Sequence, residues 1–233
     1  MKSRQNLLQM LLQNGRIYNM KQFCIFDDQS KLNVDPEMPF GTLNGHVMGV
    51  DEVGRGPLIG NVVTAAVVLP EGCSLALTDS KKLSDKKRNE LYPQIIEQSL
   101  AYAIGEATPE EIDQLNILQA TMLAMTRAID SVLKQLNDVT GIYIDGNRCP
   151  NYNFPMKAVV KGDMKIAEVS AASILAKVTR DNQMIELAKK YPKYGFDQHK
   201  GYPSPSHLKA LQEFGLIPGY RRSFKPVRKL LTE

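Results

Sequence analysis

The segment Asn61-Val-Val-Thr-Ala-Ala-Val-Val-Leu69 constrains the fold of this chain more than any other feature. It is almost unbroken apolar and rich in β-branched residues, yet far too short to cross a bilayer. A strand with one wet face alternates between apolar and polar residues, whereas a continuous run is expected where both faces of a sheet are covered. Helices on the two faces provide that cover, so the expectation is a layered α/β or α+β fold. The rest of the chain agrees. The apolar run ending in Val50 reads as a strand, as do Gly141 to Asp145 and Lys157 to Lys161. Ser84 caps an expected helix over Lys87 to Gln98. Thr108-Pro109-Glu110-Glu111 opens an amphipathic helix expected to reach about Leu136, with Met122 and Met125 as core residues. The Ala-rich stretch Val169 to Lys190 is a further helix.

A chain of 233 residues has room for one catalytic core with an appendage. Residues 1–45 precede the first strong strand and read as an N-terminal extension, with a short helix over Asn6 to Gln13 and with Met20 as an alternative start. The core spans 46–219 and a basic tail 220–233. The formal charge of +4 sits in that tail, where Arg221, Arg222, Lys225, Arg228 and Lys229 face the single acid Glu233. Such a tail suits phosphates, or is simply solvated. Cys24, Cys73 and Cys149 are spaced for neither a disulfide framework nor a zinc knuckle, which points to a reducing compartment. No targeting segment is evident before them, so the expected location is the cytoplasm.

The chemistry lies where apolar strands give way to acids. Val50 is followed by Asp51-Glu52, Ile142-Tyr-Ile144 by Asp145, and Val159-Val-Lys-Gly162 by Asp163. Strand ends hold side chains rigidly while the following loop opens space for a ligand. Each acid alone is a common turn former, as in Asp145-Gly146. Three acid-tipped strands together favour a divalent cation, because packed carboxylates repel unless one neutralises them, and an all-oxygen set suits Mg²⁺ or Mn²⁺. Asp51 and Glu52 would reach one ion only if the strand ends or twists there. Gly54-Arg55-Gly56-Pro57 then lets bare backbone approach a sugar-phosphate chain. The third glycine of a dinucleotide-binding loop is misplaced, since Gly60 comes one residue late. Asp79-Ser-Lys-Lys-Leu-Ser84 suits phosphate oxygens, and Tyr202 in His199-Lys-Gly-Tyr-Pro203 is positioned to stack on a sugar or base. Competing readings are a non-catalytic nucleic-acid binder whose acids only shape turns, and a metal-dependent phosphatase or nuclease with another substrate.

Six ordered stretches make the decision sharper: Gly49-Val-Asp-Glu-Val-Gly-Arg-Gly-Pro57, Asp79-Ser-Lys-Lys-Leu-Ser84, Ile144-Asp-Gly-Asn147, Val160-Lys-Gly-Asp163, Ser170-Ala-Ala-Ser-Ile-Leu-Ala-Lys177 and His199-Lys-Gly-Tyr-Pro203. Together, over about His46 to Lys229, they closely resemble bacterial ribonuclease HII, the type 2 ribonuclease H. The resemblance implies a ribonuclease H-like fold, a mixed central β-sheet flanked by α-helices with a helical C-terminal portion. It implies an endonuclease that cuts the RNA strand of RNA–DNA hybrids and incises 5′ to a single ribonucleotide in duplex DNA, leaving 3′-hydroxyl and 5′-phosphate ends. Asp51, Glu52, Asp145 and Asp163 take the catalytic positions, with Asp51, Glu52 and Asp145 as ligands of a two-metal Mn²⁺ or Mg²⁺ site. Gly54, Arg55, Gly56 and Tyr202 take the substrate-reading positions. Lys81, with Lys82 and Lys161, is expected on phosphates. A monomer is expected, without membrane attachment, and the C-terminal tail is a candidate docking segment for a sliding clamp.

Overall fold

The structure is a computed structural model and describes residues 45–75, 77 and 83–232. The expected N-terminal extension up to residue 44, its helix over Asn6 to Gln13, the alternative start Met20, and Lys81 and Lys82 lie outside the described residues.

Five strands form one mixed sheet in the order β3-β2-β1-β4-β5. β1 (His46–Val53) runs antiparallel to β2 (Val62–Val68) and parallel to β4 (Val139–Asp145). β3 (Ala101–Ala107) extends the antiparallel side, and β5 (Met156–Val159) the parallel side. Every residue of β2 is buried, as its continuous apolar run requires of a strand covered on both faces. Helix α3 (Ile117–Leu133) covers one face and packs Met125, Ile129 and Val132 against Met48, Val50, Ile142 and Ile144. The other face is covered by α1 (Asp85–Gln98) and the long α4 (Ala167–Lys190), which meet Ala65, Val67 and Leu69 with Leu91, Ile95, Ile174 and Leu175.

Two expectations about elements are corrected. The helix expected from Thr108 to about Leu136 is two helices, α2 (Pro109–Leu115) and α3, broken at Asn116. Asn116 adopts φ 70°, which Asn tolerates better than most residues, and its side-chain oxygen accepts from the amides of Leu118 and Gln119 at 3.0 and 3.1 Å. β1 also continues past Val50, so Asp51 and Glu52 belong to the strand itself.

The C-terminal portion is helical: α5 (Phe196–His199), α6 (Pro205–Phe214) and α7 (Lys225–Thr232). It shares a core with the loop after β1, where Leu58 and Ile59 meet Phe196, Leu211, Tyr220 and Val227. Residues 220–232 are therefore not a free tail. Arg221 and Val227 are fully buried, and Tyr220 bridges to Ile59. Of the charge read as meeting phosphates or solvent, that of Arg221 is instead buried in the fold.

Candidate active site

Asp51 stands in the central strand, one position beyond the paired residues Val50 and Ile144, so the parallel register brings it beside Asp145 at the end of β4. Asp51 is buried at 4% exposure, while Glu52, its neighbour on the opposite face, keeps its side chain 17% exposed. Burial, then the charges of Glu52 and Asp145, push the Asp51 carboxyl well above the usual carboxylate range. The Ser173 hydroxyl, donated from α4, and the Glu52 amide at 2.7 Å oppose that shift. Asp163 reaches the same end of the sheet through a short 3-10 turn, Gly162–Met164, and is buried. The turn is tied to its neighbour because the Gly162 amide donates to Asp145 Oδ1 at 2.7 Å.

The fold thus brings Asp51, Glu52 and Asp145 into mutual influence and seats Asp163 one residue from the group that Asp145 accepts from. As they stand, no three acidic, histidine or cysteine side chains among the described residues form a cluster able to hold one ion. Glu52 turns to Arg55 Nη1 at 3.3 Å, Asp145 to Gly162, and Asp51 to Ser173. Beside them opens a cleft of about 280 Å³ lined by Glu52, Arg55, Asp145 and Arg148 over the apolar floor of Met122 and Met125.

Three residues beyond Asp51, the Gly54-Arg55-Gly56 loop begins. Gly54 has φ 91°, and a Cβ there would come within 2.5 Å of Arg180 Cδ, so both backbone freedom and close approach demand glycine. A Cβ on Gly56 would sit 3.1 Å from Tyr202 Cε1, which places the Tyr202 ring directly against the loop. Tyr202 itself is 42% exposed, an aromatic face left open beside bare backbone. Its own loop is held from below. His207 Nδ1 lies 2.8 Å from the Tyr202 carbonyl, which only accepts, so Nδ1 is the donor. Nε2 then accepts from the Tyr220 hydroxyl at 2.8 Å. Burial lowers the affinity of His207 for a second proton, keeping this neutral tautomer, and its ring stacks on His199 at 4.4 Å.

The sequence alone placed no role on Ser173, Arg180 or His207. Ser173 lies within a quoted stretch, Ser170 to Lys177, but nothing there says which hydroxyl faces β1. Arg221 was counted as tail charge, and only its burial reveals otherwise.

Comparison with known proteins supports the same assignment. The family model for ribonuclease HII matches residues 48–227. A ribonuclease HII of Hydrogenovibrio crunogenus is 56% identical over 194 residues, covering 83% of this chain and 92% of the relative. Among solved structures, the ribonuclease H2 of Pyrococcus horikoshii superposes with a TM-score of 0.65 at 31% identity, over 79% of this chain and 96% of that one. The ribonuclease HII of Archaeoglobus fulgidus, solved in complex with PCNA, gives 0.63 at 27% identity, over 77% and 95%. The mixed sheet, the acid-tipped central strands and these likenesses agree: the chain belongs to the ribonuclease HII family, and is with it an endoribonuclease that cuts the RNA strand of RNA–DNA hybrids.

Proposed function

We propose that this enzyme also incises duplex DNA 5′ to a single embedded ribonucleotide, with Asp51, Glu52, Asp145 and Asp163 as its catalytic acids. The observation that carries the reading is the juxtaposition on β1: the acids lead within three residues into a bare-backbone loop against which Tyr202 packs. Chemistry and sugar recognition then share one rigid strand. The 2′-hydroxyl is what distinguishes RNA from DNA at a given sugar, and at Gly54 and Gly56 the backbone carries no side chain that would hold it off. Tyr202 would rest on the neighbouring deoxyribose, where an extra hydroxyl fits poorly.

The donor set fits hard divalent cations such as Mn²⁺ or Mg²⁺, being all oxygen and carrying Asp51, whose carboxyl is driven up by burial and then by two neighbouring negative charges. Asp51, Glu52 and Asp145 would hold them, with Asp163 completing the site; the cations would supply positive charge for the attacking water and the leaving 3′-oxygen. The residues of the chain do the rest. Arg55 gives up Glu52 and joins Lys161, Lys81 and Lys82 on phosphates, and the protein orients the phosphodiester so that the P–O3′ bond breaks, leaving 3′-hydroxyl and 5′-phosphate ends. A cytoplasmic monomer fits this role. A sliding-clamp contact through residues 220–233 belongs to the same reading; the A. fulgidus complex with PCNA motivates it, and Leu231, 47% exposed, is the apolar residue left for it.

The test is cleavage of an end-labelled DNA duplex carrying one ribonucleotide, with Mn²⁺, Mg²⁺ or chelator, by wild type and Asp145→Asn. A single metal-dependent cut 5′ to the ribonucleotide, lost in the variant, supports the reading. Cleavage of long hybrids without a cut at the lone ribonucleotide overturns the junction specificity, and near-normal turnover by Asp145→Asn overturns the site.

A further inference from the structure

Two buried arginines lie beneath the glycine loop, and nearly all their donors go to backbone carbonyls. Arg221 is fully buried. Its Nη2 donates to the Gly54 carbonyl at 2.6 Å, Nη1 to those of Arg55 and Pro57 at 3.0 and 2.8 Å, and Nε to that of Gly60 at 2.9 Å. Arg180, 1% exposed on α4, donates to the carbonyls of Ile59 at 3.2 Å and Lys200 at 2.9 Å. One guanidinium therefore gathers four carbonyls of the glycine loop, and the other ties that loop to the Tyr202 loop.

The direction of these bonds decides where the amides point. In a trans peptide the C=O and the following N–H are antiparallel, so drawing a carbonyl inward turns the next amide outward. The rule holds where it can be checked. The Pro57 carbonyl faces Arg221 while the amide of the same peptide, that of Leu58, points away to the Gly201 carbonyl at 2.8 Å. Likewise the Ile59 carbonyl faces Arg180 and the Gly60 amide donates to the Gly219 carbonyl at 2.9 Å. Applied to Gly54 and Arg55, it turns the amides of Arg55 and Gly56 away from Arg221, in a loop whose Gly56 packs against the Tyr202 ring.

We propose that Arg221 and Arg180 are positioning residues, which hold the amides of Arg55 and Gly56 outward beside Tyr202 as paired donors to the 2′-hydroxyl oxygen of the ribonucleotide. This rests on the ribonucleotide reading above. Arginine is required because only its planar fork supplies donors in several fixed directions at once; a lysine offers a point charge with donors at one atom. The arrangement is costly. Burial, then the charge of Arg180, bring Arg221 down to about 9, still protonated at neutral pH, and a pair of buried guanidiniums adds nothing to stability that apolar residues would not. Holding a recognition loop accounts for that cost.

The experiment measures, in chelator so that nothing is cut, the affinity of wild type, Arg221→Lys and Arg180→Lys for a duplex with one ribonucleotide and for the same duplex all in deoxyribose. Wild type is expected to prefer the ribonucleotide, and the variants to lose about tenfold of that preference, the loss falling chiefly on the ribonucleotide duplex. A merely structural role would weaken both duplexes equally, and that result would overturn the proposal. A wild type with no preference would instead overturn the ribonucleotide reading and the proposal with it. In wild type alone, the Arg55 and Gly56 amide resonances are expected to shift on adding the ribonucleotide duplex and not the deoxyribose one; unchanged resonances would refute the outward donors even if neither variant folds.

Discussion

Gly49→Ala tests how the site is held, because at Gly49 the backbone of α4 lies directly against β1. Gly49 pairs with Val67 on one side and Tyr143 on the other, in the middle of the sheet. A Cβ there would lie 2.5 Å from the Glu168 carbonyl oxygen and nearer still to Glu168 C and Val169 N, all backbone atoms of the first turn of α4. Backbone cannot swing aside as a flexible side chain does, so the helix must retreat by about 1 Å to restore ordinary contact. Overpacking of this kind costs roughly 1–3 kcal/mol, and each kcal/mol lowers the melting midpoint of a domain this size by about 2–4 °C. The same helix carries Ser173 onto Asp51, and a displacement of about 1 Å at a catalytic group costs on the order of 10²-fold in rate. The assay is cleavage of an RNA–DNA hybrid well below both midpoints, with Gly72→Ala as control. Gly72 has φ 71° with nothing within 4 Å of a Cβ, so its alanine brings backbone strain of about 1 kcal/mol and no push on α4. If Gly49→Ala keeps its rate within about twofold while its midpoint falls, the coupling of α4 to Asp51 is wrong.

Three other perturbations have worked outcomes. Asp51→Asn should abolish cleavage yet stabilise the metal-free protein at neutral pH. The Asp51 carboxyl is raised in the fold, so its favourable contribution is present at acid pH and is lost as pH rises through the folded value; melting in chelator against pH should show that slope in wild type and not in the variant. Glu111 is held down at about 2, first by the Arg127 side chain and then by the Thr108 amide, so its contribution is present above the ordinary glutamate value and lost as pH falls toward 2. Since Arg127 is 44% exposed, Glu111→Gln should cost only about 1 kcal/mol in neutral urea titrations, and a difference that persists undiminished at the acid end would refute the pairing. Tyr202→Ala should lose more activity on a lone ribonucleotide than on a long hybrid, and equal losses would remove Tyr202 from junction sensing.

How much of this could be read from the chain follows from what kind of signal each element leaves. β2 announced itself because burial on both faces writes a continuous apolar run. The candidate acids stood out because Asp51, Asp145 and Asp163 each follow an apolar run within a few residues. β3 escaped because Ala101-Tyr-Ala-Ile-Gly-Glu-Ala107 is poor in β-branched residues; its small side chains serve the close packing of α3 instead. The break at Asn116 left no mark in a sequence whose apolar period continues across it. Arg180 and Arg221 were illegible in principle, since charge in a sequence reads as surface, and only the fold shows that carbonyls from a distant loop receive them.

The placement of buried charge gives the site its direction. Asp51, whose carboxyl is buried against Glu52 and Asp145, lies only a few residues from Gly54 and Arg55, whose carbonyls cover the Arg221 guanidinium. Neither pole is stabilising by itself, as burial opposes the charged form of Asp51 and of Arg221 alike. In the function proposed above, both would face one ligand, a ribonucleotide strand with its cations: the 2′-hydroxyl oxygen over the arginine-backed amides, the cations at the carboxylates. The strand between the two poles fixes their spacing, so in the proposed function a phosphodiester aligned by its sugar on the loop would be carried to the acids in a single register. A fold that buried neither charge would be more stable, and would have no such alignment to offer.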